Sequence, residues 1–176
     1  ESISDNELSL NKMQEDIASF IHNIRTEMLT IYSEQDLISG LRSAEEEGTS
    51  MKEYYWRSWY FARKRFTKED QLLAVYLYDM QDQLVSAYRY NASSFPRNLH
   101  QTEYDSNSAR IYDYVHGERS DLMISGYYNP DAKRNVVRFV LKLHNYDETR
   151  ANIGYLVCDI NSNALTSIME KYVDVD

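Results

Sequence analysis

The residue types that most often carry out catalysis or hold metals occur in this sequence without the spacing that those roles require. The four histidines form no His-Glu-x-x-His or similar metal-ligand motif: His22, His100, His116 and His144. With only 5 glycines, the sequence also has no phosphate-binding loop, and it has no Gly-x-Ser-x-Gly nucleophile motif. We therefore predict no catalytic residue, no metal site and no cofactor, and we do not expect an enzyme domain.

Two other reactive groups favour structural roles. Asp79 and Asp82 offer two carboxylates to a cation, but acidic residues near a hairpin tip usually form the turn itself. Cys158 is the single cysteine and lies among apolar residues in a strand-like segment, which is typical of a buried and inert thiol. One cysteine also excludes an internal disulfide framework.

The composition restricts the partners of the chain. The formal net charge is −9, so a basic surface for nucleic-acid phosphates or anionic lipid headgroups is not expected. The longest apolar run, Leu72 to Leu77, is far shorter than the roughly 20 residues of a membrane-spanning helix. We therefore predict no nucleic-acid partner, and contact with a membrane only through flanking segments outside this sequence.

Two main helices are predicted within the N-terminal helical region, residues 1–70, with a short helix and a charged connection between them over 33–48. A long amphipathic helix covers 5–32 and a second helix covers about 51–66, with capping boxes at Ser4–Glu7 and Ser50–Glu53. The first helix would be about 40 Å long. Either part of it projects and pairs with another chain, or the whole helix lies on the core of its own domain. Its apolar stripe has three-and-four spacing: Leu10, Met13, Ile17, Phe20, Ile24 and Ile31.

The remaining residues, 71–176, change to the period-two pattern of strands. Two β-rich runs on either side of Asp79–Gln83 predict a hairpin, and loops with some helical turn follow over 91–116. The predicted fold class is α+β, with a five-stranded antiparallel sheet, helices packed on one side, a long N-terminal helix and a short C-terminal helix. The later elements are expected at Leu122–Tyr128, Val136–Leu143, Ile153–Ile160 and, for the last helix, Ala164–Tyr172.

The sheet region contains three strings in a characteristic order, Val75–Ser86, Ser125–Asp131 and Ile153–Ile160. They resemble the first hairpin, the third strand with its turn, and the closing strand of Cache sensor domains, the PAS-like extracytoplasmic domains of bacterial transmembrane receptors. The likeness covers about residues 72–170 and is greatest to the single-module form of sensor histidine kinases. The hairpin tip departs from the family, since Gln81–Gln83 stand where glycine is usual.

The resemblance implies an extracytoplasmic ligand-sensing domain of a two-component histidine kinase in a bacterial cell membrane, with the signal passing through the terminal helices. It implies a transmembrane segment on each side of the sequence and a homodimer in the full receptor. Two alternatives remain open. The chain can be the sensor domain of a chemoreceptor or diguanylate cyclase, or a dimerisation or protein-interaction module without a small ligand.

The resemblance also implies where a ligand binds. Amino-acid-binding members carry Arg-x-Trp-Tyr in the insert after the hairpin, and Arg57–Tyr60 matches it by letters but precedes the hairpin, which favours a structural role. In the right place the carried-over site residues are Arg110, Tyr112, Tyr127, Asn129 and Asp159.

Arg110 would hold an anion, Tyr112 stands where tryptophan is usual, and Asn129 replaces the usual carboxylate. The expected ligand is therefore a small polar molecule: an amino acid, a carboxylate or a sugar. For Arg110 and Tyr112, a surface ion pair and a packed ring are the alternative roles.

Overall fold

The computed structural model describes residues 3–66, 68–89, 108–129, 133–147 and 150–173. Helices precede the sheet in the chain. They are α1 (Ile3–Leu29), α2 (Gln35–Glu47) and α3 (Tyr55–Phe66), with 3₁₀ turns at Thr30–Ser33 and Lys52–Tyr54. The hairpin strands β1 (Leu72–Asp79) and β2 (Leu84–Arg89) follow, then α4 (Ser108–Val115). The chain continues with β3 (Met123–Asn129), β4 (Arg134–His144), β5 (Asn152–Asn161) and α5 (Asn163–Glu170). The loop predicted over 91–103 lies outside the described residues.

The five strands form one antiparallel sheet in the order β2-β1-β5-β4-β3. This confirms the predicted α+β fold, with its long N-terminal and short C-terminal helices. The last strand in sequence, β5, is central and pairs with β1 and β4, so that Cys158 lies between Val75 and Phe139. Cys158 is fully buried, and burial raises the pKa of its thiol, as expected for an inert cysteine.

One face of the sheet, the helix face, packs against α1, α2 and α3. Because side chains alternate along a strand, Phe139, Leu141 and Leu143 of β4 all point to this face and are buried. Gly154 of β5 allows close packing here, since a Cβ atom would lie 2.5 Å from the Tyr78 carbonyl oxygen. The helix residues of this core include Met28, Leu37, Leu41, Phe61 and Phe66.

The opposite face, the α4 face, is covered by α4, so the expectation that helices pack on one side only is wrong. The apolar side chains Ile111, Tyr114 and Val115 lie on one side of α4 and are buried against the sheet. They give this short segment an amphipathic helix in place of the predicted loop with some helical turn. The sheet therefore has two cores, one on each face.

The helix starts differ from the predicted capping boxes. Ser4 already lies inside α1, which begins at Ile3, so it is not the N-cap of that helix. The Ser50 hydroxyl does accept a hydrogen bond from the Lys52 amide at 3.2 Å, but the bond opens a 3₁₀ turn before α3. Neither serine is therefore the N-cap of the α-helix that it was predicted to begin.

The apolar stripe of α1 divides into two parts. Ile24 and Met28 are buried in the core of the helix face, and Phe20 packs against Phe139 with ring centroids 6.3 Å apart. Leu8 and Leu10, near the start of α1, are 55% and 50% exposed. Only the C-terminal part of the stripe therefore packs on the core of its own domain. None of the helices in the described ranges has the length and apolar character needed to cross a bilayer.

Candidate ligand-binding site

A buried polar cluster lies on the α4 face, at the point where β3, β4 and β5 meet. The side chain of Arg138 on β4 binds Asp159 on β5 through two hydrogen bonds of 2.7 Å, from Nε to Oδ1 and from Nη2 to Oδ2. Arg138 Nη2 also donates to the Tyr127 hydroxyl at 2.7 Å, and that hydroxyl donates to Asp159 Oδ2 at 3.0 Å. Arg138 and Asp159 are both completely buried. The cluster joins the three strands by charge-assisted hydrogen bonds.

The electrostatics of this cluster are balanced. One guanidinium faces one carboxylate, and the Arg138 guanidinium carbon lies 4.2 Å from the centroid of the Tyr127 ring. Burial raises the pKa of the Tyr127 phenol well above its ordinary value, and the Asp159 charge raises it further. Burial also raises the pKa of Tyr76 beside them. Both phenols therefore stay protonated and can donate hydrogen bonds.

Three of the predicted site residues come together here. Tyr127 and Asp159 are hydrogen-bonded, and the fully buried Asn129 at the end of β3 lowers the pKa of the Tyr127 phenol against the effect of burial. Asn129 and Tyr127 are two residues apart on one strand, so they share the α4 face.

The helix α4 is held over this face by two polar anchors. Lys142 Nζ donates to the carbonyl oxygens of Gly117, at 2.8 Å, and Arg119, in the turn that follows α4. Beyond the C-terminal end of α4, His116 Nε2 lies 3.3 Å from the carboxylate of Asp82 at the hairpin tip, and Asp82 also accepts a hydrogen bond from Tyr155. The helix is thus linked both to β4 and to the β1–β2 hairpin.

A cleft of about 380 Å³ opens beside the buried polar cluster, between α4 and β3. Arg110 and Asp113 of α4 line one side, and Ser125 of β3 lines the other. No ion-pair partner of Arg110 is found in the part of the chain that the structure describes. The Ser125 hydroxyl oxygen is buried and makes no hydrogen bond within the same ranges. We call this space the α4 cleft.

The second guanidinium at the α4 cleft, that of Arg119, already forms an ion pair. Arg119 donates from Nε and Nη2 to the carboxylate of Asp121, at 3.1 and 2.9 Å. The hydrogen bond lowers the pKa of Asp121 and raises that of Arg119, but both side chains are exposed, which makes the pair weak. Within the described ranges, Arg110 is therefore the cation of the cleft that has no ion-pair partner and can meet an anionic group.

The remaining predicted residue, Tyr112, lies on another side of α4. It is 53% exposed and its ring packs against that of His116 at a tilt of 44°, with centroids 4.4 Å apart. Two residues correspond to about 200° of rotation around a helix, which separates Tyr112 from Arg110. The structure does not bring Tyr112 to the α4 cleft.

The alternative string Arg57–Tyr60 has the structural role that was predicted. Trp59 packs partly buried against the core, with its ring 5.3 Å from that of Tyr88. Arg57 is largely exposed and forms an ion pair of 3.0 Å with Asp36. This string lies on α3, on the other face of the sheet from the α4 cleft.

The two carboxylates at the hairpin tip form the turn, as predicted. Asp79 Oδ1 accepts hydrogen bonds of 2.9 Å from the amides of Gln81 and Gln83. Asp82 supplies the left-handed backbone conformation, with φ of 58°, where glycine is usual in the family. Within the described ranges, no group of three or more His, Cys, Asp or Glu side chains is placed to hold a metal ion.

Solved structures share this architecture. The ligand-binding domain of the Campylobacter jejuni chemoreceptor Tlp3, in complex with 4-methylisoleucine, superposes with a TM-score of 0.68 at 14% identity, over 96% of this chain and 62% of that one. The sensor domain of the V. cholerae histidine kinase DctB superposes with a TM-score of 0.59 at 12% identity, over 94% of this chain and 58% of that one. An extracellular ligand-binding receptor from Desulfohalobium retbaense superposes with a TM-score of 0.61 at 10% identity, over 98% of this chain and 28% of that one. This chain has the Cache fold.

The Cache fold is shared at sequence identities too low to carry a function with it. The chain spans less than two thirds of the length of these solved domains. No protein-family model matches the sequence, and no curated protein matches it. The site must therefore be argued from its own residues.

Sequence reasoning missed Arg138, Lys142 and Ser125, which complete the candidate site in this Cache fold. A signal for two of them is present in β4, where two charged residues four positions apart, Arg138 and Lys142, interrupt an apolar strand on the same face. Charged residues in a strand interior are rarely buried without a partner, so this pattern indicates a polar cluster on one face. Ser125 carries no comparable signal, because a serine in an edge strand is ordinary.

Proposed function

We propose that this chain is the ligand-sensing domain of a bacterial transmembrane receptor and that it binds a small polar molecule in the α4 cleft. The observation that carries the proposal is that Arg110 and Ser125 line opposite sides of this cleft, and that the buried Ser125 hydroxyl makes no hydrogen bond within the described ranges. A buried hydroxyl without a hydrogen bond costs free energy, and a ligand that supplies the bond recovers it. The Cache fold, shared with receptor sensor domains, supports the same assignment.

The ligand best suited to this site carries a carboxylate. The Arg110 guanidinium offers two parallel donors to a carboxylate, and the Ser125 hydroxyl can donate to a further oxygen. Asp113, on the same side of α4, can accept from an ammonium or hydroxyl group. Asp159 is less available to a ligand, because Arg138 already neutralises it. Among the expected classes, a carboxylate or an amino acid therefore ranks above a sugar.

A path for the signal leads from the buried polar cluster to the terminal helices. Asp159 lies near the end of β5, and α5 begins at Asn163. The Tyr172 hydroxyl, after α5, donates to Asp16 of α1, so the two helices are connected. A ligand that binds better to one arrangement of α4 and the sheet shifts the population of that arrangement and so moves α5 against α1.

The proposal is tested by thermal unfolding of the domain with a panel of amino acids, dicarboxylates and monosaccharides. A ligand that binds only the folded form raises the melting temperature, because it stabilises that form by RT ln(1 + [L]/Kd). We expect at least one carboxylate-bearing compound to raise it, and the rise should continue logarithmically once the ligand concentration exceeds the dissociation constant. A panel in which no carboxylate or amino acid has an effect would favour the interaction-module alternative.

For the parent protein we propose a histidine kinase, with a chemoreceptor or diguanylate cyclase as alternatives. Sensor domains of both a histidine kinase and a chemoreceptor have this fold, so the fold supports these two kinds of receptor equally. The sequence that encodes the region after Asp176 distinguishes them. A kinase core following a second transmembrane segment is the expected finding.

We further propose that the receptor is a homodimer in which the N-terminal half of α1 lies at the interface. Leu8 and Leu10 are exposed apolar residues there, whereas Ile24 is buried in its own core. A cysteine introduced at Leu10 should cross-link in the membrane-embedded receptor, one at Leu8, about 200° around the helix from Leu10, should cross-link less, and one at Ile24 should not. Equal cross-linking at all three positions, or at none, would contradict this interface. The native Cys158 is fully buried and adds little background.

A further inference from the structure

A second cavity, of about 690 Å³, lies away from the α4 cleft, between the end of α2, the segment that leads into α3, and the tip of the β1–β2 hairpin. We call it the hairpin cavity. The Gln81 side chain donates to the Glu45 carboxylate at 3.2 Å, which joins the hairpin tip to α2 beside the cavity. Nothing in the proposed sensing site uses this space.

The lining of the hairpin cavity combines groups that suit a polyhydroxylated ligand. Glu45 and Asp79 offer carboxylate oxygens, and Gln81 and Gln83 offer amides that both donate and accept hydrogen bonds. Lys52 adds a cationic donor. Sugar hydroxyls donate and accept at the same time, so they can add hydrogen bonds to the Glu45, Gln81 and Gln83 side chains beside those that these groups already make. With two carboxylates and one ammonium, the lining disfavours an anionic ligand.

An aromatic surface continues from the hairpin cavity along the outside of α3. Tyr55 lines the cavity, and its ring lies 5.0 Å from that of Trp56, which in turn lies 6.1 Å from the ring of Tyr60. Trp56 and Tyr60 are 60% and 56% exposed, which is unusual for large aromatic side chains packed side by side. The C–H faces of pyranose rings stack on such rings, while their hydroxyls remain in water.

We propose that the hairpin cavity and this aromatic surface form a binding site for a neutral oligosaccharide. One sugar unit occupies the cavity, where it contacts Tyr55 and hydrogen-bonds Gln81 and Glu45. The following units stack on Trp56 and Tyr60. This site is separate from the α4 cleft, so it stands or falls independently of the proposed sensing function.

The test uses the intrinsic fluorescence of the domain, because both tryptophans of the chain, Trp56 and Trp59, lie on α3. Glucose, N-acetylglucosamine, maltotriose, cellotriose and chitotriose are titrated, and affinities are checked by calorimetry. We expect at least one trisaccharide to change the emission and to bind more tightly than its monosaccharide. Trp56→Ala should weaken the trisaccharide about tenfold while leaving the monosaccharide nearly unchanged.

Two further variants make the result specific. Gln81→Ala should weaken monosaccharide and trisaccharide alike, since Gln81 lines the cavity itself. Tyr128→Ala removes another exposed tyrosine, on β3, and should have no effect. The proposal is overturned if no saccharide of the panel binds, if a diamine such as putrescine binds in their place, or if Tyr128→Ala weakens binding as much as Trp56→Ala.

Discussion

Replacing Arg138 by methionine should lower the free energy of unfolding by about 3–5 kcal/mol. The substitution removes the guanidinium but leaves the Asp159 carboxylate completely buried beside the protonated Tyr127. An uncompensated buried charge is far more costly than the loss of an exposed ion pair. Urea denaturation, followed by far-ultraviolet circular dichroism, measures the change.

A double variant, Arg138→Met with Asp159→Leu, provides the matched control. It replaces the whole ion pair by apolar side chains, and we expect it to recover most of the lost stability, because no unpaired charge remains. Equal stability of the single and double variants would show that the Asp159 charge is not the source of the cost. The Arg138 guanidinium would then not be the group that compensates the buried Asp159 charge.

Replacing Arg110 by alanine should weaken binding of a carboxylate ligand by about 10- to 30-fold, or roughly 1.4–2 kcal/mol. The guanidinium lines the α4 cleft and has no ion-pair partner within the described ranges, so its removal affects the ligand and not the fold. Calorimetry with the tightest binder from the thermal screen gives the dissociation constant.

Arg57→Ala is the natural comparison for Arg110→Ala. Arg57 also occurs in a string that matches the family motif by letters, but it pairs with Asp36 on the surface of the helix face. Its replacement should leave the ligand affinity unchanged. If both arginine variants bind the ligand as tightly as the wild type, Arg110 does not hold the ligand. If only Arg57→Ala binds the ligand more weakly than the wild type, the site lies on the other face of the sheet.

The fold was largely predictable from hydrophobic periodicity. The change from three-and-four spacing to period two at Leu72 marks the boundary between helices and sheet, and the strand β5 was recognisable as a buried apolar run. The side on which α4 packs was not predictable in the same way. Its apolar side chains Ile111, Tyr114 and Val115 indicate that the helix is buried, but not against which face of the sheet.

The candidate site was predictable only in part, because side-chain partners depend on strand register. The resemblance gave Tyr127, Asn129 and Asp159 as ligand-binding residues; the structure joins Tyr127 to Asp159 by a hydrogen bond, and the contact of these residues with a ligand stays a prediction. It could not give Arg138, which reaches Asp159 only because β4 pairs with β5 in the register that sets these two residues opposite each other. Nor could it show that Tyr112 faces away from Arg110, which depends on the helical conformation of α4.

The most direct test of the sensing site is a crystal structure of the domain with the tightest binder from the thermal screen. The ligand carboxylate should lie within hydrogen-bond distance of the Arg110 guanidinium, and a second polar atom should contact the Ser125 hydroxyl, while the Arg138 and Asp159 pair stays intact. A ligand bound outside the α4 cleft, or one that binds Asp159 by displacing Arg138, would contradict the proposed site.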